Sequence, residues 1–375
     1  MLQLAAMLDP NGIPDAVLTS PPALNYLTQH RSRAGAGQDR AQEQEVTTED
    51  AVGALEALHS LSLIDDAPSS PHRAIRVHQL VQRTARDTLT LDRHDQLAHT
   101  AADALTTAWP GIERDPALAQ TLRANTAVLT AHAEDALHQP DIHWVLYRTG
   151  RSLGEGGQAT AATAHFHRLT ETATRYLGPD HLNTLAARGH LVCWRGEAGD
   201  AAGAVDAFEE LVTDLARVLG KDHPHTLIAR GNLIKRRGSA GDPSSVVAEL
   251  EELATDLVRV LGEDHPNTLI TRTNLACWRG EAGDAAGAVA GLEELVTDAV
   301  EVLGEDHPHT LDTRRDLAHL RGMAGDAAGA VAGLEELVTD LVRVLGLFHP
   351  YTLDVRGHLA GWRREAGMGV HESTD

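Results

Sequence analysis

A nine-residue block returns every 42 residues through the second half of this 375-residue chain. It reads LGPDHLNTL from Leu177, LGKDHPHTL from Leu219, LGEDHPNTL from Leu261, LGEDHPHTL from Leu303 and LGLFHPYTL from Leu345. A second block keeps the same register between them: GEAGDAAGAV at Gly196 and Gly280, and GMAGDAAGAV at Gly322. A fixed period of this length marks a repeat architecture, in which no unit can bury its apolar face alone.

Each unit reads as two helices. In the clearest copy the first runs from about Thr268 to Ala282, with Leu269, Leu275 and Trp278 at helical spacing, and Gly283 ends it. The second runs from about Ala285 to Leu303. Ala288, Leu292, Leu295, Ala299 and Val302 form one apolar stripe, with Glu293, Glu294 and Asp298 turned to water. Gly304 stops it, and Pro308 opens the next helix, where its fixed φ is tolerated. Residues 141–158 and 159–177 read as a degenerate earlier pair, since Gly157 lies 42 residues before Gly199. The expectation is five helix pairs over about 141–346 and a last helix over about 351–366, so that the chain ends inside a repeat.

Composition narrows the function. Aromatic residues are 3% of the chain, so the core is built from Ala, Leu and Val. The balance of 32 basic and 54 acidic residues, net −22, argues against a general nucleic-acid binder and against docking on anionic lipid. Two cysteines, Cys193 and Cys277, make no disulfide framework and suit a reducing cytoplasm. No apolar run approaches the ~18 residues of a membrane span, and MLQLAAMLDP lacks the basic start and small-residue cleavage site of a signal peptide. Lysine occurs only at Lys221 and Lys235; such Arg-over-Lys, Ala-rich usage points to a high-GC bacterial source.

The unit resembles a tetratricopeptide repeat in its 42-residue form, similar to that of kinesin light chains. Ala276, Ala288, Leu292 and Leu295 fall where that family places packing residues; Arg279, with Trp278 before it, departs from the Tyr usual in the first helix. The resemblance implies a non-enzymatic α-solenoid that holds a protein or peptide segment, without cofactor or metal, on the concave face of its first helices.

Residues 1–140 lack the period. Met1–Leu8 reads as a short buried helix, 28–46 as a mobile loop, and Thr47 with Asp50 as the cap of a helix to about His59 with Val52, Leu55 and Leu58 inward. SLIDDA and RAIRVH read as two short strands, followed by helices over VHQLVQRTARDTL and over 92–109. This order predicts a winged-helix-like domain over 1–110, a connecting helix over 111–140 and the repeats over 141–375. MLQLAAMLDPNGIP, SLSLIDD and RVHQLVQ resemble the winged-helix portion of bacterial STAND-type ATPases of the NB-ARC class, whose C-terminal repeats act as sensor or docking surface. Their nucleotide-binding domain is expected upstream of such a module. No phosphate-binding loop occurs here, because the one Gly-Lys pair, Gly220-Lys221, is followed by Asp222. The runner-up reading is a regulator binding DNA through residues 1–110, which hold 8 Arg, no Lys and 14 acidic residues.

Comparison between repeats separates candidate roles. Arg188, Arg230, Arg272, Arg314 and Arg356 are constant and are expected to be structural, pairing with the acidic second helix of a neighbouring unit. The variable series are His190, Asn232, Asn274, Asp316, His358; then Cys193, Lys235, Cys277, His319, Gly361; then Glu197, Ser239, Glu281, Met323, Glu365. Their offsets of three and four place them on one helical face, the candidate binding surface. Asn232 and Asn274 resemble the family's peptide-backbone contacts. His181, His223, His265, His307 and His349 recur one per repeat and are read as turn residues, too far apart to share a zinc ion.

Overall fold

The computed structural model describes residues 1–34, 45–67, 72, 74–238 and 243–368. Its contacts divide into two compact units, Met1–Ala187 and Arg188–Asp375.

The first unit is helical but for one hairpin. Its elements are α1 (Leu2–Ala5), α2 (Asp15–Leu18), α3 (Pro21–Ala34), α4 (Thr48–Ser60), strands β1 (Asp65–Asp66) and β2 (Ile75–Arg76), α5 (Gln79–Asp87), α6 (Leu91–Ala108), α7 (Pro116–His132), α8 (Glu134–His138), α9 (Trp144–Glu155) and α10 (Ala159–Leu177). The strands pair antiparallel, and Ile13 bridges Ile75 on the far side of β2. The N-terminal residues Leu4–Leu8 are buried, and polar side chains from distant helices stitch them down. Gln82 donates to the carbonyls of Ala5 and Leu8 at 3.1 and 3.0 Å. Asn125, with no exposed surface, donates to Gly12 at 2.9 Å and accepts from the Asp9 N–H at 3.0 Å.

Two local expectations are corrected here. Residues 28–34 are not loop: α3 runs on to Ala34, and the Thr28 hydroxyl donates to the Leu24 carbonyl, four residues back, at 2.9 Å. The rest of that loop, 35–44, lies outside the described residues, as do 68–71 of the expected turn. Thr47 and Asp50 do form a capping box for α4, but Ala51 and Leu55 take the inward face and Val52 is exposed.

From α11 (Leu182–Glu197) onward the chain is an α-solenoid of helical hairpins. The second unit holds α12 (Ala201–Leu219), α13 (Pro224–Gly238) with α14 (Pro243–Leu261), α15 (Pro266–Glu281) with α16 (Ala285–Leu303), and α17 (Pro308–Met323) with α18 (Ala327–Val344). The last described helix is α19 (Pro350–Glu365). Helices α14, α16 and α18 each pack against their own first helix and, like α12, against the first helix of the next hairpin. The cores interlock accordingly. Leu227, Ile234, Leu250, Leu253 and Leu257 share one cluster with Leu275 of the following hairpin. Leu269, Leu292 and Leu295 share the next with Leu317 and Leu320. Val302 does not join the stripe; it is exposed, because Leu303 packs inward in its place.

The recurring block is the joint between helices. Gly178, Gly220, Gly262, Gly304 and Gly346 stand at φ between 92° and 98°, a region that favours glycine. In the clearest copy His265 then caps α15, its Nδ1 accepting from the Asn267 N–H at 3.1 Å, and Pro266 opens the helix. Thr268, fully buried, donates its hydroxyl to the Gly262 carbonyl at 2.8 Å. The same histidine and threonine bonds occur at His181, His223, His307 and His349 and at Thr184, Thr226, Thr310 and Thr352.

Candidate functional site

Four of the five constant arginines hold their own hairpin together, not the neighbouring one as expected. Arg188 reaches Asp214 at 2.7 Å, Arg230 reaches Asp256 at 3.1 Å, Arg272 reaches Asp298 at 3.4 Å and Arg314 reaches Asp340 at 2.8 Å. The acidic partner sits 26 residues on, in the second helix of the same unit, because an antiparallel hairpin brings those positions level. Arg356 makes no ion pair among the described residues and is exposed.

The pairs that cross from one hairpin to the next use a different arginine. Arg237 meets Glu209, Arg279 meets Glu251, Arg321 meets Glu293 and Arg363 meets Glu335, all at 2.7–2.8 Å. The signal was present in the sequence: in four copies an Arg stands 28 residues after a Glu, while Arg195 has His167 at that distance. These pairs are partly exposed, so each contributes only about 0.2–1 kcal/mol, and their main effect is on register.

Beside them lies a steric joint. A Cβ on Gly238 would meet Trp278, one on Gly280 would meet Leu320, and one on Gly322 would meet Trp362. Arg236 takes the equivalent place over Gly196. Trp278 and Trp362, 84 residues apart, therefore each fill a glycine notch, and Arg236 and Leu320 fill the notches of the other repeats.

The variable positions among the described residues are partly or fully exposed on the first helices. Asn232, Asn274, Asp316 and His190 are half-buried, while Lys235, His319, His358, Glu197 and Glu281 are exposed. Helices α13, α15 and α17 pack side by side, so positions 232, 274 and 316 stand in a row, about 8–10 Å apart at usual helix spacing. Ser239 lies outside the described residues.

Several of these side chains are already engaged. Glu197 accepts from Arg236 at 2.7 Å, Asp316 from Arg315 at 2.9 Å, and His319 stands edge-on to Trp362. Asn232 and Asn274 differ: among the described residues neither carboxamide has a hydrogen-bond partner. Cys193 and Cys277 flank them as free thiols, both pushed up in pKa, chiefly by burial and at Cys277 also by the Asp316 charge. A thiol held protonated is a poor nucleophile.

In the first unit the equivalent slot is closed. Arg148, 42 residues before His190, is buried against Glu113 at 2.9 Å and lies over the Trp109 ring. Glu113 also accepts from Trp109 and Ser152, so this polar network satisfies itself. A cavity of about 620 Å³ lies among α7, α8, α9 and α10, and there Arg175 is paired with Glu134 at 3.2 Å. The recurring histidines are helix caps, and among the described residues no group of three or more His, Cys, Asp or Glu could hold a metal ion. No helix among them is long and apolar enough to cross a membrane.

Comparison with known proteins follows this division. A tetratricopeptide-repeat model matches residues 184–225 and 268–309, and a model described as a domain of unknown function (DUF7779) matches residues 1–94. Residues 184–225 and 268–309 thus match the tetratricopeptide repeat, in keeping with the helical hairpins. No curated protein matches the chain. Among solved structures, a putative kinesin light chain with nearly identical repeats from Podosopora anserina is 23% identical, with 53% of this chain and 94% of that one covered and a TM-score of 0.40. A Rap protein complexed with Competence and Sporulation Factor is 12% identical over 93% of this chain and 95% of that one, with a TM-score of 0.43. A STAND protein with a tetratricopeptide-repeat sensor from Pyrococcus horikoshii is 10% identical, covering 84% of this chain and 59% of that one, with a TM-score of 0.39.

Proposed function

We propose that this protein is a non-enzymatic docking module whose first-helix face holds a segment of another protein. The observation that carries the reading is the pair Asn232 and Asn274. Two half-buried carboxamides stand at equal places on adjacent helices, with no partner among the described residues. A carboxamide both donates and accepts, as a peptide unit does, and these two are open enough to exchange water for a ligand's peptide group. Replacing both with Ala should weaken capture of the partner at least tenfold while circular dichroism and the melting temperature hold. Unchanged affinity would remove this face from consideration. Residues 141–375 carry 22 basic and 36 acidic residues, which favours a partner that is not strongly acidic.

The N-terminal part is read as a winged-helix-like module over 1–110, joined through 111–140 to the repeats, in a STAND-type system whose nucleotide-binding domain is not in this sequence. The order of α1, the Ile13 bridge, α2–α4 and the β1–β2 hairpin supports that reading. DNA binding through α5 is the less favoured alternative. Its Arg86 is turned inward to the Ala6 carbonyl, and Arg83 lies beside Asp87 at 3.8 Å. A gel shift with the full chain that weakens steeply with salt would restore it. Two free thiols agree with a cytoplasmic setting.

A further inference from the structure

One turn before each of the variable positions lies a second series on the same face: Ile228, Ile270, Asp312 and Asp354. The backbone place is the same in all four, but the chemistry changes once. Ile228 is half-buried and Ile270 is 37% exposed, both beside the two asparagines. Asp312 is 47% exposed, and Asp354 is exposed with no ion pair among the described residues. Arg315 lies 3.5 Å from Asp312 and 2.9 Å from Asp316, so one cation is shared by these two carboxylates, and Asp354 adds a third acidic group to this end. The face thus runs from two apolar steps to an acidic one.

The spacing selects a conformation for whatever lies across these steps. Neighbouring helix axes stand about 8–10 Å apart. A β-strand advances about 3.3 Å per residue, and residues three apart point to opposite sides. A polyproline-II helix has three residues per turn and a rise of about 3.1 Å, so every third side chain points the same way, about 9 Å along. It makes no internal hydrogen bonds, which leaves its peptide groups available to the two carboxamides.

We infer that the occupant is a polyproline-II-like peptide with apolar side chains three residues apart, followed at the same spacing by Lys or Arg. The apolar pair sits at Ile228 and Ile270, the backbone between is held by Asn232 and Asn274, and the cation meets Asp312 and Asp354. This rests on the docking reading above and adds the partner's chemistry.

Fluorescence anisotropy of labelled synthetic peptides against the full chain tests it. The probes carry Leu-x-x-Leu-x-x-Arg in both chain directions, with Pro, Ser and Gln spacers. Companion peptides replace Arg with Glu or shorten one spacer by a residue. Arg→Glu and the shortened spacer should each weaken binding about tenfold or more. The variant Asp312→Lys with Asp354→Lys, checked for an unchanged melt, should reverse the preference in favour of the Glu peptide. Indifference to charge and spacing, or a preference of the parent chain for Glu, overturns the inference. A random displayed-peptide library separates the two levels. Ligands that need Asn232 and Asn274 but lack this spacing leave the docking reading standing and sink only the inference. No ligand dependent on those residues sinks both.

Discussion

The imidazole of His265 caps α15 only while neutral, because Nδ1 must keep its lone pair for the Asn267 N–H. The proton of the neutral ring is then on Nε2. Its counterpart His307 titrates below the ordinary histidine value of 6.5, chiefly because burial disfavours the charged ring, and so do His225 and His309. In the first unit, burial also lowers His138 and His165. A histidine whose folded pKa is depressed stabilises the fold above 6.5, and that stabilisation fades as pH falls. The melting temperature should therefore be flat from about pH 8 to 6.5 and decline below it, ahead of any carboxylate titration. Asp214, held low by hydrogen bonds from Arg188 and then Arg217, adds a second decline only below its ordinary 3.8. A curve flat down to pH 4 would contradict the histidine account. Thr268→Val removes a buried hydroxyl from the Gly262 carbonyl and should cost about 0.5–1.5 kcal/mol in urea unfolding. The exposed Thr297, which only bonds back to Glu293, should tolerate the same change with little effect.

Within a helix, the glycine notch can be tested by adding one methyl group. Gly322→Ala drives a Cβ into the Trp362 ring and should cost about 1–3 kcal/mol of stability. Gly361→Ala meets nothing within 4 Å and should instead stabilise α19 by up to about 1 kcal/mol. Paired thermal melts decide it, and equal effects would rule out a packing role for the notch. Helix positions were legible because leucine spacing and the glycine stops fix them: α16 runs over Ala285–Leu303, as its stripe implied. What was not legible is rotation at the ends. Val302 and Leu303 are adjacent apolar residues, and the sequence does not say which one the next hairpin covers. Likewise the constancy of Arg188 and its equivalents marked them as structural, but constancy carries no information about which acidic helix each one reaches.

At the scale of the whole molecule, the repeats announce themselves while the N-terminal unit does not. Asn125 closes the loop around Asp9 and Gly12 across more than a hundred residues, and no local pattern encodes such a pairing. Asn125→Ala strands a buried carbonyl and N–H and should cost about 1–3 kcal/mol, read as an earlier urea midpoint for probes in the first unit. The candidate face was legible only in part. Repeat-by-repeat comparison found the asparagines, but that they stand without partners is a fact of packing. The hairpin joints carry a last consequence. Four glycine notches in the same register hold Arg236, Trp278, Leu320 and Trp362, and four Glu–Arg pairs recur at the same separation, so the hairpin joints are built alike. A recombination event that removes or inserts 42 residues in phase rebuilds the same joints at the seam. The array is in this sense a ruler whose length heredity can change one mark at a time, and the reach of its binding face would change with it.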